Sequence, residues 1–167
     1  MSRYFNHENI LVLTKESAWV ILTGLITFAV LYPVLSKLDY MYTTVNAAFV
    51  FVAITYFRWS VTFRSLPFLR PASIRFLIFT GNIVLFFYLM QHEQKLLGKL
   101  DDFYLEDFGF PKVIIYEDLK QQLFSYLYAE IVLSATSSLL MIIAFQLRLI
   151  LSYWQYYKHA SSRLLED

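Results

Sequence analysis

Residues 17–36, SAWVILTGLITFAVLYPVLS, run without a charge between Glu16 and Lys37. A helix needs roughly 17 to 25 mostly apolar residues to cross a hydrocarbon core of about 30 Å, so this stretch predicts a membrane span. No small-x-small cleavage site follows it, and it reads as a retained span, not a signal peptide. Three more charge-free windows repeat the pattern: residues 40–57 between Asp39 and Arg58, 76–92 between Arg75 and Glu93, and 131–147 between Glu130 and Arg148. The expected fold is an all-α integral membrane protein. It is a four-transmembrane-helix bundle with an amphipathic extracytoplasmic helix between helices 3 and 4 and a long fourth helix. The helices are placed at about 17–36, 40–58, 74–92 and 118–157, with the outer amphipathic loop at about 93–117, all in one membrane domain.

The composition agrees with those windows. Of 167 residues, 58% are hydrophobic and 16% charged, against about 25% charged in an ordinary soluble domain; the mean hydropathy is +0.51. There is no cysteine, which excludes thiolate nucleophiles, disulfides and Cys-ligated zinc or iron–sulfur centres. A net charge of +1 provides no global field to attract nucleic acid.

The connections alternate sides, so both termini share one side. All seven arginines (Arg3, Arg58, Arg64, Arg70, Arg75, Arg148, Arg163) fall there with Lys15 and Lys158, against five lysines opposite. The positive-inside bias predicts cytoplasmic termini and a multi-pass protein of the cell membrane. Trp19, Tyr56, Trp59, Tyr153 and Trp154 mark the inner boundary, and Tyr32, Tyr40, Tyr42, Tyr88, Tyr126 and Tyr128 the outer one, as polar-tipped aromatics do at headgroup level.

Only residues 37–39 separate the first two windows, which predicts an antiparallel hairpin, and Pro33 is expected to bend or end the last turns of the first helix. Residues 60–73, SVTFRSLPFLRPAS, with two prolines among aromatics and arginines, read as interfacial. In residues 91–109, QHEQKLLGKLDDFYLEDFG, the apolar positions Leu96, Leu97, Leu100, Phe103, Tyr104 and Phe108 recur at helical spacing. They predict a helix lying on the outer leaflet or on a partner, ended by Gly109 and Pro111. Residues 113–116, VIIY, suit a short extended piece, and Glu117 and Asp118 suit the first turn of helix four. Neither glycine nor proline interrupts residues 118–167, so helix four is expected to outrun the bilayer.

Few residues carry chemistry. Glu130, Asn46 and Asn82 are the intramembrane polar candidates: a carboxyl there can hold a proton or a cation, and amides in hydrocarbon seek partners across helix interfaces. Arg58, Arg64, Arg70 and Arg75 form a basic cluster suited to an anionic lipid or an acidic partner. His7, His92 and His159 fall on both sides of the membrane and cannot share one metal; no HExxH motif occurs. Asp101, Asp102, Glu106 and Asp107 lack the EF-hand pattern. No phosphate loop, nucleophile elbow or catalytic carboxylate pair is present, so no cofactor, metal or enzymatic activity is expected. The reading is a non-catalytic membrane subunit that packs against and stabilises a larger membrane complex, with lipids and other membrane chains as partners and no nucleic acid. The alternatives are a sensory input module with helix four as its output stalk, or a small ion or solute transporter using Glu130, Asn46 and Asn82.

Overall fold

The computed structural model describes residues 7–63, 66, 69, 71–101, 109–111 and 117–163. Four helices and two short strands follow in the order α1 (His7–Leu35), β1 (Leu38–Tyr40), α2 (Thr43–Val61), α3 (Ala72–Asp101), β2 (Gly109–Pro111) and α4 (Glu117–Arg163). Each helix contains a stretch long and apolar enough to cross a bilayer: Thr14–Leu35, Thr43–Val61, Ser73–Lys99 and Asp118–Gln155. The protein is therefore all-helical with four candidate spans, as the charge-free windows predict.

The centre is the α2–α4 pair, with α1 and α3 packed beside it. On α4 the buried positions include Leu127, Ile131, Ala135, Ser138, Ile142, Phe145 and Leu149, a three-four spacing that keeps one seam facing its neighbours. Asn46, Phe49 and Tyr56 face it from α2. The flanking helices bury less. α1 contributes Thr23, Thr27, Leu31 and Val34, and α3 contributes Asn82, Leu89 and Leu96, one residue every second turn.

α1 ends two residues after Pro33, where the Ser36 hydroxyl donates to the Pro33 carbonyl at 3.1 Å. The chain then enters β1, which pairs antiparallel with β2 in the register Leu38↔Pro111, Asp39↔Phe110 and Tyr40↔Gly109. This pairing holds the first and third connections at one end of the helices, the arrangement that alternating spans require. Leu38 and Tyr40 turn into the core while Asp39 faces out, so even three residues show the strand period of two.

Two expectations change. The segment from Glu93 does not begin a separate amphipathic helix, because α3 continues unbroken to Asp101. Leu96 is buried, Leu97 packs on the core, and the Lys99 ammonium lies 5.4 Å from the Tyr42 ring centre. Leu96 and Leu97 thus pack on the chain's own core. Charges at Glu93 and Lys95 end an apolar window but do not interrupt backbone hydrogen bonding, and no proline intervenes. The second change concerns Gly109 and Pro111, which are expected only to end the outer helix and instead lie in a strand. The strand lies at Gly109–Pro111, whereas residues 102–108 and 112–116, with the expected remainder of the amphipathic helix and the VIIY piece, lie outside the described residues. α4 is longer than expected at 47 residues, about 70 Å at 1.5 Å per residue.

Candidate functional site

Two clusters of side-chain hydrogen bonds link the candidate spans. The first lies near the strand end. Asn46 on α2 is fully buried; its Nδ2 donates to Glu130 Oε2 on α4 and to the Tyr40 hydroxyl at 3.3 Å. Its Oδ1 accepts from Ser134 Oγ at 3.4 Å. Helical spacing explains the set, since positions 130 and 134 stand one turn apart on a single face of α4. Glu130 is 9% exposed, and its second oxygen, Oε1, has no hydrogen-bond partner. Glu130 also lines a side cavity of about 370 Å³ between α1, α2 and α4, with Val50, Ile54, Leu133 and Ser137 among its walls. Tyr126 closes one edge by donating to the Val30 carbonyl at 2.6 Å. On β1, burial pushes the Tyr40 phenol well above its ordinary range, and the nearby Glu130 charge adds to the rise, while the bond from Asn46 opposes it.

The second cluster lies deeper. Tyr56 on α2 donates to Asn82 Oδ1 at 2.7 Å, and Asn82 Nδ2 on α3 donates to Gln146 Oε1 on α4 at 3.0 Å. Gln146 Nε2 returns to α3 by donating to the Phe79 carbonyl at 3.1 Å. Tyr56, Trp59 and Phe63 pack around the Phe145 ring with centroid distances of 5.4 to 5.8 Å. Three helices are thus joined through one amide pair.

The structure therefore brings Asn46 to Glu130 and places Asn82 elsewhere. Ten positions on α2 separate Asn46 from Tyr56, about 15 Å along the helix, and Phe49, Val50 and Val52 fill the interval. No continuous polar path joins the clusters among the described residues. Gln146 is the functional-looking residue that the sequence reading passes over. It sits near the end of a window chosen for lack of charge, although an amide within a span carries the same argument as Asn82.

The arginine cluster also divides. Arg58 forms a two-pronged ion pair with Glu16 of α1, Nη1 to Oε2 at 2.7 Å and Nη2 to Oε1, and its guanidinium lies 5.0 Å from the Trp19 ring centre. Arg75 donates to Ser152 Oγ at 3.3 Å and lies 5.3 Å from the Tyr153 ring centre. Arg64 and Arg70 lie outside the described residues. His92 pairs with the Tyr88 carbonyl at 2.9 Å, and among the described residues no three His, Asp or Glu side chains gather as a metal site would need. Comparison with protein-family models, with curated proteins and with solved structures finds no match to this chain.

Proposed function

We propose that the chain is a non-catalytic, multi-pass subunit of a cell membrane, with both termini cytoplasmic, that packs against other membrane chains and stabilises their assembly. The observation that carries this reading is the placement of the mid-span glycines. Gly24 on α1 and Gly81 on α3 are exposed, and a Cβ at either would meet nothing of this chain within 4 Å. Glycine costs a helix about 1 kcal/mol relative to alanine, and here the chain's own packing draws no benefit from it. In membranes small residues let a second helix backbone approach closely. Each glycine sits in an outward apolar stripe: Leu77, Gly81, Val84 and Tyr88 on α3, and Ile21, Gly24, Phe28 and Tyr32 on α1. The orientation rests on the side shared by the seven arginines, and lipids cover whatever the partners leave exposed.

The test is extraction from the native membrane in mild detergent through a C-terminal tag, with mass spectrometry of what co-purifies. Stoichiometric membrane partners are expected, and Gly81→Leu or Gly24→Leu is expected to remove at least one of them while the chain itself stays folded. Purification of a homogeneous species alone overturns the reading. One observation favours a second reading, a small cation or solute transporter: the unpartnered Glu130 Oε1 beside the side cavity. Flux into proteoliposomes that Glu130→Gln abolishes distinguishes it.

A further inference from the structure

At the opposite end from the strands, a cavity of about 760 Å³ opens between the end of α2, Leu66, Leu69, the start of α3 and the last third of α4. Its lining includes Arg75 and Arg148 and, among the described residues, no carboxylate. Arg148, Ser152 and Gln155 recur at four- and three-residue steps and so share one face of α4. Arg75 donates across to Ser152 Oγ, which sets its guanidinium beside the turn that carries Arg148. The Tyr153 ring supports Arg75 from one side. Arg148 is exposed and makes no ion pair or hydrogen bond with a described residue.

We infer that this cavity binds the phosphate of an anionic phospholipid between Arg75 and Arg148, with an acyl chain along its apolar wall. Three features select that occupant. Guanidinium groups match phosphate oxygens in planar, two-pronged fashion. Arg75 and Arg148 each adjoin a charge-free window, 76–92 and 131–147, so both stand at headgroup depth with Trp59, Tyr153 and Trp154. The cavity also joins two chemistries: Leu66 and Leu69 form a buried floor, and Val61 and Leu151, 65% and 55% exposed, form an apolar lip beside the cations. An acidic protein segment would satisfy the arginines and leave that lip without a purpose. A phosphatidylcholine would bring its own ammonium to compete with them. The site does not depend on the subunit reading, since it uses a different end and face from Gly24 and Gly81.

The experiment reconstitutes the full chain into nanodiscs with equal amounts of phosphatidylglycerol and phosphatidylcholine and counts retained lipids by native mass spectrometry. Wild type is expected to retain one phosphatidylglycerol in preference. Arg148→Gln is expected to lower that preference roughly fivefold, as loss of one headgroup cation does, while Lys95→Gln, the same charge change at the other end, leaves it unchanged. Arg148→Lys falls between. Equal retention of the two lipids by wild type overturns the inference without reference to any variant. So does an identical preference in Arg148→Gln and Lys95→Gln, or an acidic protein that co-purifies through Arg148 while the lipid ratio stays at one.

Discussion

Asn46 of α2 and Glu130 of α4, 84 positions apart in sequence, meet in a fully buried hydrogen bond at the strand end of the helices. The amide does two jobs there: it supplies the carboxylate with a donor and holds the Tyr40 hydroxyl, and through it β1, against the same point. One side chain thus ties the central helix pair to the strand pair that closes the connections.

Glu130→Gln keeps an acceptor for Asn46 Nδ2 and removes the ionisable group. It is expected to change stability by less than about 1 kcal/mol, within the range of interhelical hydrogen bonds in membranes. Asn46→Leu takes the amide donor from both Glu130 Oε2 and the Tyr40 hydroxyl, and it is expected to cost about 2 kcal/mol, as a buried polar group left without its partner does. Thermal unfolding in detergent at fixed pH measures both, and equal losses contradict the pairing.

Tyr40 predicts an alkaline limit. Its phenol stays protonated in the folded chain above the ordinary value near 10, because burial disfavours the phenolate. The unfolded chain therefore releases this proton first as pH rises. The stabilisation is complete below about pH 10 and declines above it. Tyr40→Phe has no such proton to lose, so its melting temperature is expected to fall less between pH 10 and 11.5 than that of wild type. Parallel declines contradict the assignment.

α3 depends on Asn82 more than a thicker interface would allow, since among its described residues the other buried positions are Leu89 and Leu96. A double-mutant cycle on Asn82→Leu and Gln146→Leu is expected to give a coupling of about 1 kcal/mol. A cycle on Asn82→Leu and Glu130→Leu is expected to give none, because the clusters share no member.

Arg58 and Glu16 join α1 to α2 at the end of the helices away from the strands. Arg58→Gln alone leaves Glu16 unpaired, and it is expected to be less stable than the double change Glu16→Gln with Arg58→Gln. The order of the melting temperatures checks this, and a double variant no more stable than the single one contradicts it.

The four spans are legible in the sequence because apolar length is a local property: each charge-free window can be measured without knowing what lies beside it. The Asn46–Glu130 contact is only half legible. Depth along each helix follows from position, but rotation about its axis is set by packing, so grouping Asn46, Asn82 and Glu130 as one path could not separate two clusters about 15 Å apart. Gln146 shows the same limit from the other side, hidden inside a window defined by charge alone. The β1–β2 pairing is not legible, since three-residue strands carry almost no periodic signal and their partners lie about 70 positions apart. The Arg58 pair with Glu16 is missed because a positive-inside count treats each arginine as a free charge.

In the proposed assembly α1 and α3 present their glycine faces to another membrane chain. The absence of native cysteine permits its most direct test, a single Gly81→Cys labelled with a thiol-reactive benzophenone and irradiated in native membranes. One crosslinked polypeptide of constant mass is expected, absent when the probe is moved to Asp39, which is exposed at the strand end. Crosslinks to lipid alone from position 81 would contradict it.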